Sequence, residues 1–218
     1  MEKLEAVIFD YDGTIVDTEK TYYEVMDFLV EKYTGKKLEK IDYIRNVSGT
    51  SIEQCKEYVT STYGMSEEEY NKLEDEMRED LGYKFDESPL LPNIKEVFNF
   101  LKESGIKVGV ASNGTRSHIE VGLKLNGLYD LVDDIVTKSD VARPKPSPDI
   151  YLASAERLGV DINNCIAVED SRPGALAAAA SGAYLIIQTN DITKHFDFSD
   201  IEYKEKDCDL YEFIKGRV

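Results

Sequence analysis

From about residue 90 onward the chain alternates short apolar runs with helical patterns, and no other feature restricts the possible folds as much. Residues 106–111, 135–137, 165–168 and 184–187 read as strands. Residues 93–104, 116–126, 148–158 and 172–181 read as the helices between them. Gly105, Gly127, Gly159 and Gly182 each stand where one of these helices should end. The strand candidates are nearly continuous apolar runs rather than alternating patterns, so both of their faces must be covered. This predicts an α/β fold with a parallel sheet between two helical layers, α/β/α. Residues 175–180 are nearly all alanine, which would let one helix lie close to the sheet.

Residues 17–88 follow a different pattern. Tyr22, Met26, Leu29 or Val30, and Tyr33 recur at helical spacing, residues 52–63 and 67–81 are further helical candidates, and no strand is evident. The aromatic stripe is expected to be the core of a small helical unit. An apolar run at residues 4–9 supplies one strand before it. The expected organisation is therefore an α/β core of residues 1–16 and 89–218, interrupted by a helical insertion of residues 17–88. The two crossings, residues 14–18 and 84–91, are the hinge candidates.

The 218 residues suit a core plus a modest second unit, with 42% hydrophobic and 32% charged residues and a formal net charge of −17. A field that acidic disfavours nucleic acid and anionic membranes as partners. A small phosphorylated substrate stays compatible, because a bound cation or one placed lysine can override the field locally. Cys55, Cys165 and Cys208 lack the spacing of a disulfide framework or a zinc site. Neither a signal peptide nor an apolar stretch of spanning length is expected from the sequence. A cytoplasmic setting and a monomer are the default expectations.

Polar residues collect where ligands of open parallel sheets bind, beyond the carboxyl ends of the strands. Residues 4–9 deliver Asp10-Tyr11-Asp12-Gly13-Thr14, whose two aspartates point to one side of the chain. Like charges so close are costly unless a metal or a proton separates their roles. The strand at 106–111 leads into Ser112-Asn113-Gly114, and that at 165–168 into Glu169-Asp170-Ser171. Between them Lys145 stands in Arg143-Pro144-Lys145-Pro146-Ser147-Pro148-Asp149. Taken singly, these are a capping turn, a surface lysine and a solvated acidic turn. Their convergence on strand ends is what points to chemistry.

In order and type, these four segments resemble the motifs of the haloacid dehalogenase superfamily of phosphohydrolases, and the insertion resembles that family's small helical cap. The likeness extends to about residue 190 and implies a Rossmann-like core with a cap domain. Carried over to this chain, it implies Asp10 as the nucleophile that becomes an aspartyl-phosphate. Asp12 would be the acid that protonates the leaving alkoxide and then the base that activates water. Mg²⁺ would sit on Asp10, the backbone carbonyl of Asp12, and Asp170, with Glu169 as ligand or next to one. Ser112, Asn113 and Lys145 would hold the phosphoryl group. Dehalogenating and phosphonate-cleaving members lack an aspartate matching Asp12, so its presence selects phosphomonoesters.

By overall pattern the chain resembles the phosphoglycolate phosphatase and β-phosphoglucomutase group. Mutases of that group grip a second phosphate with an arginine after a Gly-Val-Ser segment. Here Asn46-Val47-Ser48-Gly49-Thr50 corresponds, no arginine follows Ser48, and Arg45 lies nearby. Lys72 and Arg78 are the only cations of the acidic stretch 67–80. The expectation is a Mg²⁺-dependent phosphatase acting on a small phosphorylated metabolite, with a sugar-phosphate mutase as the alternative. Arg45, Ser48 and Thr50 are the specificity candidates. His118 reads as a surface residue, and His195 is given no role.

Overall fold

The computed structural model describes residues 3–48, 50 and 52–218, which fall into two compact units, one reaching Asp17 and resuming at Pro89, the other Thr18–Ser88.

The inserted unit consists of α1 (Thr18–Thr34), α2 (Lys40–Asn46), α3 (Ile52–Tyr63) and α4 (Glu67–Asp86). The spacing seen in the sequence closes its interior: Val25, Met26, Leu29 and Val30 are buried on α1, and Tyr70, Leu73 and Met77 on α4. Ser66 and Glu69 form a reciprocal cap at the start of α4, the backbone N–H of each donating to the other's side chain at 2.8 and 3.3 Å. Helix α2 was not foreseen. Its seven residues span only two turns, too few to show a period.

The other unit holds β1 (Ala6–Phe9), β2 (Lys107–Ser112), β3 (Asp134–Thr137), β4 (Cys165–Glu169), β5 (Tyr184–Ile187) and β6 (Glu205–Lys206). Among the described residues they form one parallel sheet in the order β3-β2-β1-β4-β5-β6. The chain moves outward from β1 to β3 and then returns to start β4 beside β1. That reversal opens a crevice at the carboxyl ends of β1 and β4.

Alternation along β1 shows why both faces must be apolar. Val7 and Phe9 join a cluster with Val108, Val110, Ile166 and Val168. That cluster is closed by α5 (Ile94–Glu103), α6 (Arg116–Leu125) and α9 (Leu210–Lys215). Ala6 and Ile8 face the opposite cluster, built on α7 (Asp149–Leu158) and α8 (Arg172–Ser181). Phe9, Phe98 and Leu101 are fully buried, and each such side chain contributes about 1.5–3 kcal/mol through the hydrophobic effect. The alanines do the converse: Ala175, Ala177 and Ala178 are fully buried, and their small size lets α8 approach β4 and β5. Gly159 and Gly182 cap α7 and α8 in the left-handed conformation, at φ 69° and 91°. No described helix is long and apolar enough to cross a membrane.

Candidate active site

Register brings the polar strand ends together. Phe9 pairs with Val110 on β2 and with Val168 on β4, so Asp10 emerges beside the ends of both. The Asp10 backbone N–H donates to the Val168 carbonyl at 2.9 Å, which carries the ladder one residue into the site.

Lys145 reaches this point from the loop before α7. Its ammonium donates to Asp10 Oδ1 and Glu169 Oε1, each at 2.5 Å, and lies 5.1 Å from the centre of the Tyr151 ring. All three ionisable groups are buried. Burial works against the lysine's charge, but the two carboxylates hold its pKa above the ordinary lysine range. Burial also lifts Asp10 above the ordinary carboxylate range, with the charges of Glu169 and Asp12 adding to the effect and Lys145 opposing it.

Glu169 is fully occupied as a bracket for that lysine. Besides Lys145, its Oε1 accepts the Tyr151 hydroxyl at 2.6 Å, and its Oε2 accepts the Ser171 hydroxyl at 3.1 Å. Asn113 supports the same lysine from behind: its side chain accepts from the Lys145 N–H at 3.1 Å and donates to the Lys145 carbonyl at 3.2 Å. The side-chain amide of Asn113 thus braces the Lys145 backbone next to Ser112. Ser112 is buried at the end of β2, and its Oγ accepts the Gly114 N–H at 2.9 Å.

Asp170 is held from two sides. Thr14 Oγ1 donates to its Oδ1 at 3.2 Å, and Asn190 Nδ2 donates to its Oδ2 at 3.0 Å and to the Gly13 carbonyl at 3.1 Å. Gly13 has φ 83°, and a Cβ there would stand 2.1 Å from Asp170 Oδ2. Only glycine fits between the two acidic loops. Asn190 lies at the limit of the stretch that resembles the family motifs, and no sequence signal marks it. Asp12 sits one turn out from Asp10, with Oδ1 3.1 Å from His118 Nε2. His118, read as a surface residue, is therefore a neighbour of the reactive carboxylates.

Carboxylate oxygens of Asp10, Glu169 and Asp170 lie within 4.8 Å of one another. Together with Asp12 they outnumber the single ammonium of Lys145, so the site carries uncompensated acid in a buried place. The donors are oxygen only, which suits a hard dication such as Mg²⁺. The residues present fit that ion.

The specificity candidates belong to the inserted unit. The Ser48 hydroxyl donates to Glu19 at 3.0 Å, that of Thr50 donates to the Val47 carbonyl at 2.7 Å, and Arg45 is exposed. Gly49, Ser51 and the Arg78 side chain lie outside the described residues.

Residues 4–182 match the haloacid dehalogenase-like hydrolases, and the chain belongs to that family. YhcW of Bacillus subtilis, provisionally named a phosphatase, is 32% identical over 203 residues, 92% of this chain and 90% of its own. The β-phosphoglucomutase of the same organism is 29% identical over 197 residues, 84% of this chain and 82% of its own. A family hydrolase from Deinococcus radiodurans, solved with phosphate and sodium bound, superposes with a TM-score of 0.84 at 23% identity, covering 98% of this chain and 94% of its own.

Proposed function

We propose that the protein is a Mg²⁺-dependent phosphomonoester hydrolase that removes phosphate from a small metabolite through an aspartyl-phosphate on Asp10. One observation carries this reading. The ammonium of Lys145 bridges Asp10 and Glu169 in a buried cluster with Asp170, while Asp12 stands apart with its carboxyl half-exposed. One carboxylate is held against a cation at the sheet, and the other is left near solvent to move protons.

In the first step a carboxylate oxygen of Asp10 attacks phosphorus, the bond from phosphorus to the ester oxygen breaks, and Asp12 gives its proton to the departing alkoxide. In the second step Asp12 takes a proton from water as the water oxygen attacks phosphorus. The Asp10–phosphorus bond then breaks, releasing inorganic phosphate. Lys145 and Ser112 neutralise and orient the phosphoryl oxygens in both steps. Asp10, Asp170 and the Asp12 carbonyl would hold Mg²⁺, which when bound offsets the charge of the carboxylates and of the phosphoryl group. The unit Thr18–Ser88 would serve as the cap that selects the substrate. Three unpaired cysteine thiols suit a reducing, cytoplasmic compartment.

The likeness to β-phosphoglucomutase keeps a second reading open, that of a sugar-phosphate mutase. Against it, the Ser48 and Thr50 hydroxyls are used within the inserted unit itself.

The test is phosphate release from a panel of sugar phosphates, phosphoglycolate and nucleoside monophosphates, with Mg²⁺ and with chelator. Asp10→Asn is expected to lose at least about 10³-fold in kcat. Release that persists unchanged in that variant would overturn the reading. Incubation with a sugar 1-phosphate and its bisphosphate decides against the mutase if phosphate release outpaces isomerisation.

A further inference from the structure

We infer that His118 is a positioning residue for Asp12, fixing which oxygen of that carboxylate exchanges a proton with the leaving group. The inference rests on the reading of Asp12 as the proton-transfer group.

His118 is the third residue of α6. Its backbone N–H donates to the side chain of the N-cap residue Thr115 at 3.4 Å, so its main chain is set by the helix start. From there the ring extends to Asp12, with Nε2 at 3.1 Å from Oδ1. The ring is itself held in place. It stands edge-on to the fully buried Tyr11, at an interplanar angle of 84° with centroids 5.3 Å apart, and only 19% of the side chain is exposed. The imidazole is thus a fixed support reaching Asp12 from a different element.

The other oxygen of Asp12 is confined differently. A Cβ on Gly114 would come to 3.2 Å from Asp12 Oδ2 and 3.1 Å from Ser112 Oγ, so Oδ2 lies over bare backbone on the side where Ser112 faces the site. Oδ1 has a nitrogen partner, whereas Oδ2 lies close against the Gly114 backbone beside Ser112 Oγ.

Chemistry then assigns the oxygens. An ionised carboxylate only accepts, so Nε2 must carry the hydrogen in this contact. In the tautomer with the hydrogen on Nε2, a proton taken up by Asp12 leaves this contact unbroken when it resides on Oδ2. The contact therefore directs the acid proton to Oδ2, the oxygen on the Ser112 side. Without it, the carboxyl group turns about a broad, roughly two-fold torsion, and only part of the population presents the proton productively. A general acid contributes about 10²–10⁴-fold, and losing its orientation should forfeit roughly 10–100-fold of that.

The experiment measures kcat/KM, which reports phosphoryl transfer to Asp10, on two esters. One is 2,4-dinitrophenyl phosphate, whose leaving group needs no proton. The other is glycerol phosphate, whose alkoxide does. For His118→Ala we expect a loss of about 10–100-fold on glycerol phosphate, a loss of at most a few-fold on the aryl ester, and an unchanged KM. His118→Gln, which can place an amide N–H near the Nε2 position, should recover much of the alkyl-ester rate. Thermal unfolding reports whether each variant is folded, and if the alanine variant is not, the glutamine variant alone decides by the ratio of its two rates. Asp12→Asn separates the two readings. If it loses activity equally on both esters, Asp12 is not the acid and the inference falls with it. If it is selective for the alkyl ester while the His118 variants lose both esters equally or neither, Asp12 stands and the role of His118 is overturned.

Discussion

At the scale of single residues, the site depends on side chains that touch other side chains rather than substrate. Asn190 links two acidic loops, donating to Asp170 and Gly13, while its own oxygen accepts the N–H groups of Ile192 and Thr193 at 2.9 and 3.0 Å. Asn190→Ala should leave Asp170 with one support fewer and weaken Mg²⁺ binding about 10-fold. The check is the Mg²⁺ concentration at which Tm rises, which requires no turnover; an unchanged midpoint would exclude this role. Gly13→Ala should be more severe, since strained backbone and a Cβ 2.1 Å from Asp170 Oδ2 coincide. A loss of at least about 2 kcal/mol in urea unfolding is expected. Asp10, Ser112, Lys145, Glu169 and Asp170 could be singled out in the sequence because each ends or follows a strand or lies in a distinctive loop. Asn190 and His118 could not, because their partners in the site lie far along the chain: Asp170 is 20 and Gly13 is 177 residues from Asn190, and Asp12 is 106 residues from His118. Nothing in their own neighbourhoods reveals those contacts.

At the scale of elements, the edge strand β3 is fastened by one carboxylate. Asp140 accepts the Thr137 hydroxyl at 2.7 Å and the Thr137 N–H at 2.8 Å, and pairs with Arg116 of α6 and Arg157 of α7 at 3.0 and 3.1 Å. Burial alone would raise its pKa, but the hydrogen bonds from Thr137 and Arg157 and the charge of Arg116 prevail and hold it below the ordinary carboxylate range. A carboxylate depressed on folding stabilises the protein above its unfolded pKa, about 3.9. That contribution disappears as pH falls through the acid range toward the folded value. Asp140→Asn should therefore cost about 1 kcal/mol at neutral pH, a modest figure because the pairs are at the surface. The gap from the native protein should narrow steadily below about pH 4. Urea unfolding at several pH values measures this, and a gap independent of pH would contradict it. The longer elements were legible because each core-facing strand carries a continuous apolar run. Strand β6 escaped because its two residues pair only with Ile186 and Ile187 and contribute no buried run of their own.

At the scale of the whole molecule, the net charge of −17 acts on every element at once. Self-repulsion of that kind opposes the compact state and is screened by salt, with a Debye length near 10 Å at about 0.1 M. Raising NaCl from about 10 to 200 mM should raise Tm by about 2–4 °C, the shift expected for about 1 kcal/mol at this size. A scan in which Tm is flat or falls would show that local ion pairs outweigh the overall field. The crossing between the units has a consequence of another kind. Leu91 N–H donates to the Ile15 carbonyl at 3.0 Å and Asp17 N–H to the Pro89 carbonyl at 2.9 Å, with Val16 and Leu90 bridged antiparallel between them. The ends of the excursion are thus stitched together on the sheet's own side. To the sheet, the 71 residues of Thr18–Ser88 are topologically a loop whose mouth is already closed. The entropy of closing a loop grows only with the logarithm of its length. A guest module of different size could be spliced in at that seam without moving Asp10, which lies a few residues upstream, so the insertion and the strand ends are free to change separately.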